Sequence, residues 1–320
     1  MKNKKFKIVS LFSGSGGLDL GFIQAGFDII WACDIDKSAC ETYKKNIGDH
    51  IHNIDITKLN IKDIPDGDII IGGSPCQGFS NANRTNHFLD NPKNMLVKEY
   101  IRIVKGKQPK IFVLENVPQI ITAGKGLFLK EIKDELNEYK ITYKILNSVD
   151  YGVAQERRRA IIIGSKIGSI EHPKSNINTY KTVRQAFEGL NNDIPNQLDY
   201  SKPKKTTIEY MKYVRQGGNF KDIPIELRPK GNHSNLYKRL HYDRPSITIT
   251  NPRKSALTHP EENRILTIRE CARIQSFPDN FIFYGNLAEK QQQVANAVPL
   301  LLSYNIALQI LNKIEEVNYE

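Results

Sequence analysis

Residues 6–34 read FKIVSLFSGSGGLDLGFIQAGFDIIWACD, and the organisation of the first half of the chain follows from them. Phe6–Leu11 is a short apolar run, broken by Gly14-Ser15-Gly16-Gly17. Leu18–Ala25 has helical spacing, and Phe27–Ala32 is apolar again. Strand, glycine-rich turn, helix and strand make the opening unit of a parallel sheet with crossover helices. The alternation continues outward. A helix over Lys37–Asn46 precedes a buried strand at Asp68–Ile71, set between Gly67 and Gly72-Gly73. A helix at Lys98–Val104, a strand at Lys110–Leu114, a helix at about Leu127–Tyr139 and strands at Ile141–Ser148 and Ala160–Ser165 follow. This order predicts an α/β fold with a doubly wound, mostly parallel sheet.

The texture changes after Lys166. Up to about residue 260 the chain is rich in Asn, Pro, Lys and Thr and reads as a smaller, loop-rich second domain. Periodicity returns at Ile268–Ile274 and in an amphipathic helix, Pro299–Ile314, which is expected to pack back on the first domain. No internal repeat is visible.

Composition narrows the classes. Of 320 residues, 39% are hydrophobic and 25% charged, which excludes a chain disordered throughout. No apolar run approaches the roughly 20 residues of a membrane span, so no membrane partner is expected. The basic N-terminus lacks an apolar signal core. Cys33, Cys40, Cys76 and Cys271 are too widely spaced for a zinc knuckle and too few for a disulfide scaffold, so a cytoplasmic compartment is expected and no metal. The net charge of +11 is unevenly spread. Residues 157–260 hold 20 Lys and Arg against 8 Asp and Glu, whereas the other 216 hold 26 against 27. A solvated lysine surface would account for an even excess; a one-sided one points to a polyanion, of which nucleic acid is the commonest.

Three stretches carry chemistry. Phe12-Ser13-Gly14-Ser15-Gly16-Gly17 follows the first strand, where small residues let a ligand approach the backbone at a helix N-terminus. It is either a tight turn or a cofactor loop. It is no dinucleotide fingerprint, because position 19 of a G-x-G-x-x-G would be Asp19. Asp34, after the second strand, suits either two ribose hydroxyls or the cap of the next helix. Gly72-Gly73-Ser74-Pro75-Cys76-Gln77 puts a cysteine just beyond a buried strand, as a nucleophile or as a buried thiol. A zinc deaminase is excluded, since no second cysteine follows Pro75-Cys76 and the H-x-E at His259 and Glu261 lies downstream. Glu115 ends another apolar strand and should emerge on the same edge as Cys76. A thiol and an acid brought together beside such a loop suit covalent catalysis.

In order along nearly the whole chain, these motifs resemble those of the DNA (cytosine-5)-methyltransferases, especially the short prokaryotic members. Phe12, Ser13, Gly14, Gly16, Gly17 and Leu18 resemble the family's S-adenosylmethionine loop, Asp34-Ile35 its ribose acid, and Asp55-Ile56 its adenine-contacting pair. Ser74-Pro75-Cys76 matches the nucleophile motif and Glu115-Asn116-Val117 the acid motif. Gln155, Arg157 and Arg159 fit Q-x-R-x-R, which alone would read as a surface salt-bridge stripe. Arg244-Pro245-Ser246 with Thr248-Ile249 resembles the element after the recognition region, and Asn296-Ala297 lies in the last cofactor motif. Ser74, Asp34 and Ala295 stand where many members have Pro or Phe, Glu, and Gly; none of these changes removes a reacting group.

The resemblance implies a Rossmann-like methyltransferase domain from residues 1–169 and 279–320, with a target-recognition domain over 170–278. It implies that methyl passes from S-adenosylmethionine, leaving S-adenosyl-L-homocysteine, to carbon 5 of a cytosine flipped out of double-stranded DNA. Cys76 would add to carbon 6, Glu115 would hold the base's N3 and amino edge, Arg159 its O2, and Arg157 a phosphate or the scaffold. The polar stretch Gln77–Val97 would be a lid. A monomer, bacterial or phage-encoded and accompanied by a restriction endonuclease, fits this reading. The rivals are an RNA (tRNA) cytosine-5 methyltransferase, a non-catalytic DNA-binding homologue and, weakest, an NAD dehydrogenase.

Overall fold

A computed structural model describes residues 5–75, 94–175, 177–228 and 236–319. The chain divides into two compact units, one made of residues 1–147, 158–175 and 302–320, the other of residues 148–157 and 176–301.

The first unit is built on a seven-stranded sheet. In chain order its elements are β1 (Lys7–Leu11), α1 (Gly17–Gln24), β2 (Asp28–Asp34), α2 (Lys37–Asn46), β3 (Ile51–Asn53), β4 (Ile69–Gly72), α3 (Met95–Lys107), β5 (Ile111–Asn116), α4 (Gln119–Thr122), α5 (Leu127–Glu135), β6 (Lys140–Asn147) and β7 (Arg158–Ser165). The strands lie in the order β3-β2-β1-β4-β5-β7-β6. The five on the β3 side run parallel; β7 is antiparallel to β5, and the edge strand β6 is antiparallel to β7. The doubly wound α/β reading therefore holds. β3 is the strand that the apolar pattern does not reveal: of its three residues only Ile51 is buried.

Because the chain winds outward from β1 to β3 and then restarts at β4, the order reverses between β1 and β4. That crevice, at the carboxyl ends of the strands, is where open α/β sheets take their ligands. The central strands are buried on both faces, Ile8, Val9, Ile69, Ile70, Ile71, Phe112 and Val113 being sealed from solvent. On one face Val9, Ile70, Phe112 and Ile162 pack with Tyr100, Ile101 and Val104 of α3 and Phe128 and Ile132 of α5. Each such side chain contributes about 1.5–3 kcal/mol. The final helix, α11 (Leu300–Tyr319), meets α1 from Leu302 onward, and the Ser303 hydroxyl donates to the Leu18 carbonyl. Gly21 is required there, since a Cβ on it would strike Ser303. Within Leu287–Val317 one 18-residue segment is apolar enough to cross a membrane by composition, with mean hydropathy 1.5, yet 61% of that segment is buried inside the protein. It has the character of a core helix.

The second unit contains α6 (Val183–Phe187), α7 (Lys205–Tyr213), α8 (Pro252–Ser255), α9 (Ile268–Ile274) and α10 (Leu287–Asn296). Buried arginines bind its loops together. Arg239 donates to the carbonyls of Met211, Val214, His259 and Glu262, and Arg269 to those of Pro195, Pro278 and Phe281. Charge-assisted bonds to main-chain carbonyls substitute for a sheet ladder. Some of the positive charge concentrated in residues 157–260 is thus internal bracing and does not face a polyanion.

The division by compactness differs from the expected boundaries at 169 and 279. Residues 148–157 leave the sheet and pair with Ser246, where Glu156 N–H donates to the Ser246 carbonyl at 2.8 Å and Ser246 N–H to that of Ala154 at 2.8 Å. Residues 279–301 also belong with the second unit, and 170–175 with the first.

Candidate active site

The loop after β1 turns sharply because three of its residues take positive φ. Phe12 has φ 55°, Gly14 54° and Gly16 92°. At Gly16 a side chain would collide with Ile47 and the Tyr43 ring of α2. At Gly14 a Cβ would meet nothing within 4 Å, so the loop has open space above it. In the middle of the loop the Ser15 hydroxyl is buried with no partner among the described residues. Gly17 and Leu18 begin α1 and are buried, which leaves their main chain as the part a ligand could use.

Asp34, at the end of β2, fastens this loop. Its Oδ2 accepts from Gly14 N–H at 2.8 Å, and its Oδ1 from Asp36 N–H at 2.8 Å. Burial raises its carboxyl above the ordinary value, against the lowering effect of those two amides. Asp36, not Asp34, caps α2, accepting from Ser38 N–H and Ala39 N–H. The alternative reading of Asp34 as a helix cap is therefore set aside, and each of its oxygens retains acceptor capacity. Beside it Ile35 leaves an apolar side chain 70% exposed.

Asp55 accepts from the amide and hydroxyl of Thr57 at 3.0 and 2.7 Å, which holds its carboxyl below the usual range. Ile56 points into the core, so only its main chain could face a ligand.

Across the crevice, β4 ends at Gly72 and β5 supplies Glu115 and Asn116, both buried. A Cβ on Gly73 would lie 2.7 Å from Glu115 Oε2, so the carboxylate sits directly against the main chain leading to Ser74-Pro75. The Asn116 amide donates to the Ser74 carbonyl at 2.8 Å and fixes that segment. Arg159 approaches from β7, with Nε 2.8 Å from Glu115 Oε1. The antiparallel direction of β7 explains the meeting, because it brings the strand's first residues to the edge where the parallel strands end. Cys76 and the Gln77–Val97 stretch, up to Pro92-Lys93, lie outside the described residues. The three other cysteines are buried, and burial pushes Cys33 up to about 12, Cys40 up to about 11 and Cys271 higher still. None of these three has the character of a reactive thiolate.

The remaining expected residues belong to the second unit. Arg157 is buried and donates to the Ile249 carbonyl at 3.2 Å and the Ala295 carbonyl at 3.0 Å. Of the two roles expected for it, the scaffold fits this setting and a phosphate contact does not. Its second bond ends one residue before Asn296, which is exposed, and Ala297, which closes α10. Gln155 is fully buried, and neither amide atom has a partner among the described residues. Asp36 escaped the sequence reading as a site-forming residue, whereas Asn116 and Gly73 lie within the acid and nucleophile motifs, which do not show that they brace Ser74 and Glu115.

The sequence model of the family described as C-5 cytosine-specific DNA methylase matches residues 6–312. The chain belongs to that family. The methylase is 40% identical over 320 residues to the Type II methyltransferase M1.HphI of Haemophilus parahaemolyticus, covering 95% of this chain and 86% of that one. It is 38% identical over 337 residues to M.NgoFVII of Neisseria gonorrhoeae, covering 99% and 89%. Among solved structures it resembles one described as a prophage-encoded DNA modification methyltransferase of E. coli. The TM-score is 0.78 at 25% identity, over 97% of this chain and all of that one. The methylase is accordingly a DNA (cytosine-5-)-methyltransferase with the Rossmann-like fold, it acts on DNA, and its family implies S-adenosylmethionine as methyl donor.

Proposed function

We propose that the chain methylates carbon 5 of a cytosine flipped out of a specific DNA duplex sequence, through a covalent bond between Cys76 and carbon 6. The observation that carries this reading is the acid end of the crevice. Glu115 is buried against Gly73, Arg159 holds it at 2.8 Å, and Asn116 fastens Ser74, two residues before the thiol. A thiol starting from that anchored Ser-Pro segment needs an acid on the base's other edge.

The first unit suits the methyl donor. The open space over Gly14, the unpartnered Ser15 hydroxyl, the acceptors on Asp34 and the exposed Ile35 make a polar and apolar cradle at the switch point. Phe12, Ser13, Gly14, Gly16, Gly17 and Leu18 would supply the loop, Asp34 and Ile35 the ribose side, Asp55 and Ile56 the base side, and Ser74 and Pro75 the wall. The family resemblance assigns Asn296 and Ala297 to the same cofactor. When bound, S-adenosylmethionine supplies an electrophilic methyl group and leaves as S-adenosylhomocysteine.

The reaction then rests on this chain's groups. The Cys76 thiolate forms a bond to carbon 6, and Glu115 holds or donates the proton at N3 as charge moves into the ring. Carbon 5 becomes nucleophilic and takes the methyl group. Loss of the carbon 5 proton to solvent then breaks the bond from carbon 6 to Cys76, which leaves as thiolate, and the N3 proton returns to Glu115. Arg159 would hold Glu115 and the base's O2, and Arg157 and Gln155 would be positioning residues. None of this is possible inside a stacked duplex, hence the flipped base. The second unit would recognise the sequence, mainly by phosphate contacts with a few base-edge contacts. The relatives named Type II methyltransferases support a companion restriction endonuclease.

A duplex carrying 5-fluorocytosine tests the assignment, because fluorine blocks the final elimination. The wild type should form a denaturation-resistant adduct with it. Cys76→Ala should fold, bind S-adenosylhomocysteine and DNA, form no adduct and transfer no methyl. An adduct with the variant would move the chemistry to another residue.

A further inference from the structure

Beneath the glycine loop runs a chain of polar groups, buried up to the half-buried His50 at its end, that the reaction does not use. Ser13 Oγ lies 2.9 Å from Ser10 Oγ, and Ser10 Oγ donates to Asp19 Oδ1 at 2.7 Å. The other carboxylate oxygen, Oδ2, accepts from the Tyr43 hydroxyl at 2.8 Å, and that hydroxyl is 3.1 Å from His50 Nε2. The residues come from β1, the loop, α1, α2 and the turn before β3. Asp19 is fully buried, and burial pushes its carboxyl up to about 6.

The directions of the protons follow from counting them. Ser10 has one hydrogen, given to Asp19, so its oxygen is left to accept from Ser13, whose hydroxyl lies closer to it than to its other acceptor, the Ser10 carbonyl at 3.2 Å. Tyr43 has one hydrogen, also given to Asp19, so His50 must donate from Nε2. Every donor points inward to one carboxylate. Tyr43 touches the loop a second time, its ring lying 2.9 Å from where a Cβ on Gly16 would be. The loop therefore rests on Asp19 by two routes, through Ser10 to Ser13 and through Tyr43 to Gly16.

We infer that Asp19 is a positioning residue for the methyl donor, holding the Phe12–Gly17 loop in its ligand-accepting shape through Ser10 and Tyr43. This rests on the reading of that loop as the S-adenosylmethionine site. A non-glycine residue at positive φ, as at Phe12, costs about 1–2 kcal/mol unless its surroundings hold it. The Ser13 side chain, next in sequence, is such a hold. The acceptor on the Ser10 side is the part of Asp19 that matters. The Tyr43 side can reverse, since a neutral imidazole can take a hydrogen at Nε2 as well as give one, and burial favours the neutral form of His50.

The test is S-adenosylhomocysteine affinity by calorimetry, with melting temperatures recorded alongside. Ser10→Ala and Asp19→Ala should each weaken binding about tenfold, the loss of one anchoring hydrogen bond, at a temperature where both are folded. Asp19→Asn should restore affinity to within about threefold of wild type, because its Oδ1 still accepts from Ser10 while its amide donates to Tyr43. A merely structural network would lower the melting temperature and leave affinity unmoved. Wild-type affinity in Ser10→Ala and Asp19→Ala overturns the inference, as does Asp19→Asn binding no better than Asp19→Ala. Should the wild type itself bind no S-adenosylhomocysteine, the reading of the loop falls first, and this inference with it.

Discussion

Glu115 and Arg159 show how much of a site is decided by single side-chain geometry. Arginine presents a planar fork, and here one nitrogen of the fork is committed to Glu115 Oε1 at 2.8 Å while its Nη1 donates to the Arg158 carbonyl at 2.8 Å. A lysine at the same place would be a single point charge with no second donor to keep it in plane. Arg159→Lys should therefore lower the single-turnover methylation rate by about 10–100-fold while S-adenosylhomocysteine affinity stays within about twofold. Glu115→Gln, which loses the acid itself, should lower it further. Equal loss of rate and affinity in Arg159→Lys would mean that the arginine supports the cofactor pocket instead. The sequence names both residues, but not their contact, because that depends on β7 running antiparallel to β5. For Asp34 and Arg157 the residue type admitted two roles each. Asp36 takes the cap of α2, which removes the capping role from Asp34, and burial against two carbonyls removes the phosphate role from Arg157. Neither fact has a signature in spacing.

The loop between β1 and α1 concentrates strain in one element, and its two positive-φ glycines before α1 should not tolerate alanine equally. Gly14, at φ 54°, lies in the left-handed well that Phe12 already occupies, with nothing within 4 Å of a Cβ. Gly14→Ala should cost about 1 kcal/mol of stability. Its methyl group would enter the space assigned to the methyl donor and weaken S-adenosylhomocysteine binding more than it weakens the fold. Gly16, at φ 92° and ψ 20°, lies at the far edge of the left-handed region and is packed against Ile47 and Tyr43. Gly16→Ala should cost roughly 3 kcal/mol or more, since backbone strain and overpacking add. Melting curves and binding isotherms on both variants test the order; a more stable Gly16→Ala would remove the argument. At this scale apolar periodicity locates most elements well. The reading of 98–104 as helical is right in kind and short at both ends, as α3 spans Met95–Lys107. At its C-terminal end Lys105 and Lys107 carry no apolar signal, whereas at its start Met95, Leu96 and Val97 are apolar and helical, which corrects the expected polar stretch 77–97 at its last residues. β3 was invisible because two of its three residues are exposed, so it has no alternation to detect.

For the molecule as a whole, the strand-and-helix half was readable and the limits of the loop-rich half were not. A break in texture marks Lys166, yet the compact second unit also claims residues 148–157 through pairing with Ser246, some ninety positions away in the chain, and such pairing leaves no local trace. This bears on how recognition can be exchanged. The residues assigned to the reaction, Cys76, Glu115 and Arg159, lie outside 170–242, and about half of the excess charge lies within it, 13 Lys and Arg against 7 Asp and Glu. Replacing Ile170–Tyr242 with the matching segment of a relative should change the methylated sequence and preserve methyl transfer. At one end the graft meets a main-chain bond, Val183 N–H to the Arg244 carbonyl at 3.0 Å, which is indifferent to side-chain identity. Arg239 is different. It ties Met211 and Val214, inside the exchanged span, to His259 and Glu262, beyond it. A buried guanidinium whose carbonyl partners are lost, or carbonyls left without it, costs about 3–5 kcal/mol. Chimeras that keep arginine at 239 should therefore fold and methylate a new site, while those that lose it should be unstable before specificity can be read. Mapping 5-methylcytosine across the DNA of a methylation-free host expressing each chimera, beside its melting temperature, separates the two effects. An active, folded chimera that still methylates the original sequence would place recognition outside residues 170–242.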